Sequence, residues 1–231
     1  MKTIGLIGGM SWESTLSYYR IINETVRDRL GGLHSAKVLL YSAEFAEIQK
    51  LQAAGDWGRA GEVLADVAKR LQGAGADFVA VCTNTMHVVA DAIESAIDIP
   101  LLHIADATGE AIVATGAERI GLLGTRFTME REFYLRRLAD RFGLDVRVPG
   151  EDDRDEVHRV IFEELCVGAL RPPSRDTYVR IIEELAGQGA EGVILGCTEI
   201  GLLVDSSDVS VPLFDTAAIH ARTLAETALA E

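Results

Sequence analysis

The chain has 231 residues, 48% of them hydrophobic and 25% charged, which supports a substantial core and excludes a disordered chain. The net charge is −14, a field that repels phosphate backbones and argues against nucleic acid as a partner. No apolar run approaches ~18 residues, so no membrane span is expected, and MKTIGLIGGM lacks the apolar core and cleavage site of a signal peptide, which points to the cytoplasm.

In chain order, short apolar runs predict strands at 3–8 (TIGLIG), 36–42 (AKVLLYS), 77–82 (DFVAVC), 100–104 (PLLHI), 119–124 (RIGLLG), 144–148 (LDVRV), 192–197 (GVILGC) and 211–214 (VPLF). Most are apolar at consecutive positions, the pattern of parallel strands covered on both faces. Amphipathic helices lie between them. The first is expected over 12–30, with Leu16, Tyr19, Ile22, Val26 and Leu30 on one stripe and Gly31-Gly32 as its stop. Such alternation predicts an α/β fold.

The chain also repeats itself. IGLIGGMS at 4–11 matches IGLLGTRF at 120–127, AGADFVAVCTNT at 74–85 matches QGAEGVILGCTE at 188–199, and IPLLH at 99–103 matches VPLFD at 211–215. Three pairs in the same order, offset by 116, 114 and 112 residues, indicate internal duplication. The expected product is two pseudosymmetric lobes, each a parallel sheet flanked by helices: an N-terminal lobe of 1–99 plus 206–231 and a C-terminal lobe of 100–205. Ligands of open α/β sheets bind beyond the carboxyl ends of the strands, so the site is expected in a cleft between the lobes.

Three cysteines, at 82, 166 and 197, are too few and too far apart for a disulfide framework or a zinc site. The 114-residue offset equates Thr83 with Cys197 and Cys82 with Gly196. A one-residue shift along a strand moves a side chain to the opposite face, so Thr83 is the position that can face Cys197, and Cys82 is read as buried filler. The competing reading makes Cys82 a shifted catalytic thiol. Cys197 ends a strand just before a turn, where a helix N-terminus can depress a thiol pKa. Cys166, beside Ile161, Phe162 and Leu165, reads as core. Asn84, Thr85, Thr125 and Thr198 stand at strand-to-helix turns and are candidate donors to an anionic substrate. Glu199 either orients its cysteine neighbour or complements a helix dipole. His87 is expected to make a structural hydrogen bond. GLIGGM lacks the G-x-G-x-x-G spacing of a dinucleotide site, no lysine has a cofactor-bearing context, and no metal cluster is expected.

IGLIGGMSWEST followed by YY, CTNTMH, LLGTRFTM and GCTEIGLL together resemble the aspartate/glutamate racemase family that works without pyridoxal phosphate. The resemblance covers essentially the whole chain. It implies two flavodoxin-like lobes, a homodimer, no cofactor, and an acidic amino acid as substrate. It also implies two bases, one cysteine from each lobe, on opposite faces of the α-carbon. This chain departs from that pattern, because Thr83-Asn84-Thr85 stands where most members have Cys-Asn-Thr. It resembles an atypical branch with a threonine–cysteine pair, Cys197 attacking the L-form. The resemblance adds Met10 and Gln52 as substrate contacts, although a glutamine in EIQKLQAAG also suits a solvated helix face. Hydantoin racemases, maleate isomerases and arylmalonate decarboxylases of the same scaffold are alternatives, as is an amino-acid-binding module with weakened catalysis.

Overall fold

A computed structural model of the chain describes residues 1–230. Contacts divide it into two compact units, one of Met1–Ile104 with the chain from His220 onward, the other of Ala105–Ile219.

In the first unit the order is β1 (Thr3–Gly8), α1 (Trp12–Leu30), β2 (Lys37–Ser42), α2 (Phe45–Ala54), α3 (Trp57–Gly73), β3 (Phe78–Val81), a 3₁₀ turn at Thr85–Val89 and α4 (Ala90–Glu94). The strands form one parallel sheet in the order β2-β1-β3. β1 and β3 are almost wholly buried, as consecutive apolar residues require. β2 is an edge strand with exposed residues on both faces, so the uniform apolar run overstated its cover. α3 presents Ala60, Leu64, Val67, Ala68 and Leu71 to the core at helical spacing, and Asp56 caps its start.

α5 (Ile104–Val113) leads into the second unit, which continues with β4 (Arg119–Gly124), α6 (Arg126–Glu130), α7 (Glu132–Phe142), β5 (Asp145–Arg147), α8 (Glu151–Glu163), α9 (Pro172–Gly187), β6 (Val193–Gly196) and β7 (Leu213–Asp215). Its sheet is also parallel, in the order β5-β4-β6-β7. The last helix, α10 (Thr216–Leu229), starts in the second unit and carries the chain back into the first. β7 pairs with β6 in register, which keeps residues 213–215 with the second sheet, so this unit runs to 219 where the sequence suggested an end at 205.

Matched repeats occupy matched places. Val79 N–H donates to Pro100 C=O and Val193 N–H to Pro212 C=O, each at 2.9 Å. After Pro212 a short strand follows, but residues 100–104 do not form the expected strand. There the ladder consists of one bridge between Val79 and Leu101, because the chain turns into α5 at Ile104.

α1 has the expected length, with Ser11 as its N-cap and Gly31, at φ +73°, as its C-cap. Its buried stripe is different from the expected one. Ser14, Thr15, Tyr18, Ile22 and Val26 face inward, whereas Leu16, Tyr19 and Leu30 are 61%, 51% and 47% exposed. The cause is hydrogen bonding. Thr15 Oγ1 accepts from Gly9 N–H at 2.8 Å and donates to Ser11 C=O, and Ser14 Oγ donates to Cys82 C=O at 3.1 Å. These polar residues are drawn inward by main-chain groups, and that sets the rotation of the helix. Gly9 is required at the turn: its φ is +86°, and a Cβ there would lie 2.3 Å from the Ala43 carbonyl oxygen. Cys166 is half-buried in a 3₁₀ turn at Leu165–Val167, after α8 has ended, and is not a core residue.

Among the described residues no helix is long and apolar enough to cross a membrane. The corrected stripe predicts unequal costs in α1. Ile22→Ala should destabilise by about 2–5 kcal/mol and Leu16→Ala by no more than about 0.5 kcal/mol, measured by urea unfolding. Similar losses at both positions would mean the helix is rotated from this orientation.

Candidate functional site

β1 and β3 end side by side in the first unit, and β4 and β6 do so in the second. Ile7 pairs with Val81 near the ends of β1 and β3, and Gly124 pairs with Gly196 at the ends of β4 and β6. Met10 and Thr83 follow the first pair of ends; Thr125 and Cys197 follow the second. Shifting Ile7 by 116 and Val81 by 114 gives Leu123 and Leu195, which are partners in the second sheet. Backbone register therefore equates Thr83 with Cys197 and Cys82 with Gly196. A Cβ at Gly196 would lie 2.8 Å from the Leu123 carbonyl oxygen, so a cysteine does not fit there.

Cys82 is 1% exposed and its thiol is pushed up by burial, as suits small core filler. Its neighbour Thr83 is half-buried, in a short stretch that is neither strand nor helix.

Cys197, Thr198 and Glu199 form one buried cluster in the second unit. Cys197 Sγ donates to Glu199 Oε2 at 3.0 Å, and Thr198 Oγ1 donates to the same oxygen at 2.9 Å. Burial pushes the Cys197 thiol well up, and the Glu199 charge adds to this. The helix-terminus effect expected from the sequence points the other way and is outweighed. The turn after Cys197 is a 3₁₀ segment of three residues, Ile200–Leu202, too short to present much of a dipole. Glu199 is therefore bonded to its neighbours' side chains, and the hydroxyl proton of Thr198 is committed to it.

The other candidates divide between the units. In the first, Asn84 and Thr85 are buried at the start of the 3₁₀ turn after β3. Gln52, on α2, is also buried, and its Nε2 donates to Met86 Sδ at 3.0 Å, so it is not on a solvated face. Met10 belongs to the same apolar cluster as Ile7 and Met86. In the second, Thr125 caps α6, its Oγ1 accepting from Thr128 N–H at 3.3 Å. Arg126, the first residue of α6, is ion-paired with Asp155.

A histidine cluster in the first unit was not legible in the sequence. His87, His103 and His220 are each at most 5% exposed. The His87 ring lies 4.3 Å from that of His103 and 6.3 Å from that of His220, between centroids. His220 Nε2 faces Leu102 C=O and its Nδ1 faces Tyr18 Oη, both at 2.9 Å. A carbonyl only accepts, so Nε2 carries the proton and the tyrosine hydroxyl donates to Nδ1. These residues are 16 or more positions apart in the chain, and no local spacing could have joined them. Among the described residues no group of three or more His, Cys, Asp or Glu side chains is arranged to hold a metal ion.

Comparison with known proteins gives concordant results. The family model for Asp/Glu/Hydantoin racemase matches residues 7–224. The fold superposes on a candidate Asp/Glu racemase from Yersinia pestis with a TM-score of 0.93 and 56% identity, covering 100% of both chains. It superposes on an aspartate racemase homologue from Pyrococcus horikoshii OT3 with a TM-score of 0.86 and 39% identity, again over 100% of both chains. The broad specificity amino-acid racemase RacX of Bacillus subtilis (strain 168) is 25% identical over 177 residues, 73% of this chain and 72% of that protein.

Two measurements probe these electrostatics. Removing the charge beside the thiol with Glu199→Gln should lower the pH midpoint for alkylation of Cys197 by iodoacetamide, followed by mass spectrometry; an unchanged or raised midpoint would contradict the pairing. His220 is pushed down to about 3 by burial and by nearby His87. Its unfolded form takes up a proton below about 6.5 while the folded form does not. Its contribution is therefore complete above that pH, and stability should fall by about 1.4 kcal/mol per pH unit as pH drops toward 3. Urea unfolding between about pH 4 and pH 6 should show a shallower dependence in His220→Asn than in the unaltered chain.

Proposed function

The chain belongs to the Asp/Glu/Hydantoin racemase family, and we propose that it interconverts the L- and D-forms of an acidic amino acid, aspartate or glutamate, without a cofactor. Racemisation removes the α-proton from one face and returns a proton to the other. A single base tends to return the proton where it came from, so two groups are needed. Cys197 is the base toward the L-form and Thr83 the acid on the opposite face. The register equivalence of these two residues is the observation that carries this reading.

The thiol begins hydrogen-bonded to Glu199. As sulfur takes the α-proton, the thiol proton passes to the Glu199 carboxylate, which avoids forming a free thiolate in a buried site. The substrate is then a carbanion whose charge spreads into its carboxylate. Asn84, Thr85 and Thr125 supply polar side chains for that carboxylate, Thr198, whose hydroxyl is bonded to Glu199, offers it only a main-chain N–H, and Met10 and Gln52 border the substrate on the side of the first unit. Thr83 gives its hydroxyl proton to the α-carbon and recovers one from water, while the proton on Glu199 returns to solvent. Two copies of the chain pair as a homodimer in this reading.

A threonine hydroxyl is a far weaker acid than a thiol. It can donate to a strongly basic carbanion but is a poor base for the reverse step. The enantiomers have equal free energy in water, so kcat/KM is the same in both directions, and the threonine step slows both. NMR of L- and D-aspartate and glutamate in heavy water tests this. The enzyme should introduce deuterium at the α-carbon with slow inversion, and Cys197→Ala should lower the rate by about 10²–10⁴-fold. Thr83→Cys should speed turnover of the D-form. Full activity in Cys82→Ala is expected; loss there, with Thr83→Cys slower in both directions, would transfer the role to Cys82. No exchange with any amino acid would favour a binding module.

A further inference from the structure

The Thr83 carbonyl lies beyond the end of β3, in a stretch that belongs to neither strand nor helix. A buried imidazole holds it. His87 Nδ1 is 2.8 Å from the Thr83 carbonyl oxygen, and His87 Nε2 is 3.3 Å from Ile104 N. A backbone amide only donates, so Nε2 accepts from Ile104. The ring proton of the neutral imidazole therefore sits on Nδ1 and is given to the Thr83 carbonyl. Main-chain groups on both sides thus select one tautomer, and the ring is held further by its tilted contact with His103.

The second repeat does this differently. The Cys197 carbonyl accepts from Ile200 N–H at 3.1 Å, an ordinary turn bond. The residue equivalent to His87 is Gly201, where a Cβ would lie 2.5 Å from Asp215 Oδ2. The imidazole is therefore a device of the first repeat alone, placed on the residue that carries the weaker acid.

We propose that His87 is a positioning residue for proton transfer. Its Nδ1–H bond fixes the peptide plane after Thr83, and through it the direction in which the Thr83 hydroxyl leaves the backbone. The proposal rests on the reading of Thr83 as the proton donor. It predicts a specific defect: loss of the Thr83 step with the Cys197 step intact.

The test compares His87→Leu, His87→Asn and His87→Gln in heavy water, starting from the L-enantiomer that the unaltered enzyme turns over. His87→Leu loses both bonds. Inversion should fall by about 10²-fold with little change in KM, while deuterium still enters the recovered L-enantiomer, so the ratio of exchange to inversion rises. The asparagine amide can reach the place of Nδ1 and keep the bond to Thr83, so His87→Asn should retain most of the activity. The glutamine amide reaches the place of Nε2, and His87→Gln should behave like His87→Leu. If His87→Leu does not fold, as judged by circular dichroism, the Asn and Gln variants carry the comparison. Equal losses of exchange and inversion, or equal activities in the Asn and Gln variants, would overturn the proposal. Failure of the unaltered enzyme to exchange either enantiomer would instead overturn the two-base reading beneath it.

Discussion

The parallel register of β1 with β3, and of β4 with β6, is the constraint on which the rest depends. Pairing Ile7 with Val81 and Leu123 with Leu195 ends both strand pairs at equivalent places. Side chains alternate along a strand, so register alone decides which of two neighbours projects from the strand end and which enters the core. That is why Cys82 is buried filler while Thr83 holds the position that Cys197 holds in the second unit. Hydrogen bonds from α1 reinforce the arrangement: Ser14 ties the helix to the Cys82 carbonyl and Thr15 ties it to Gly9, so α1 and the ends of β1 and β3 form one rigid corner.

Two equivalent positions on duplicated scaffolds need not share one chemistry. In the second unit the thiol lies against a buried carboxyl. Burial and charge both hold the proton on sulfur, so a proton acceptor within hydrogen-bond reach matters more than a low pKa. A free thiolate would need desolvated charge beside a carboxylate, an arrangement the interior disfavours. In the first unit the hydroxyl of Thr83 takes the place of the thiol, and Thr85 stands where Glu199 does. A hydroxyl in that place has little tendency to ionise, and what the surroundings can supply is orientation.

The histidine cluster supplies it. His87 and His220 are each locked in one neutral tautomer by main-chain partners, and together they grip Leu102 and Ile104 on either side of His103. These bonds occur where the chain leaves the first unit at Ile104 and where it returns at His220. The cost of burying imidazoles is offset because the ring nitrogens named here have partners.

Much of this was legible in the sequence. Consecutive apolar residues marked the parallel strands, the span of α1 followed from its helical pattern and its Gly31-Gly32 stop, and the three repeat pairs equated Thr83 with Cys197. These are local or periodic properties, written in neighbouring residues. Hydropathy misjudged the buried face of α1 because Ser14 and Thr15 are turned inward by backbone groups, Thr15 by those of Gly9 and Ser11 and Ser14 by the distant Cys82 carbonyl. It overran at 100–104 because a strand's length depends on what pairs with it. The sequence favoured a depressed thiol at Cys197, since the residues after it suggested a helix terminus. Only the tertiary structure showed burial beside Glu199, and only it joined Tyr18, His87, His103 and His220. Periodicity records which side of an element meets the core; desolvation and side-chain partnership depend on which distant residues arrive there, and that is decided by the folded chain.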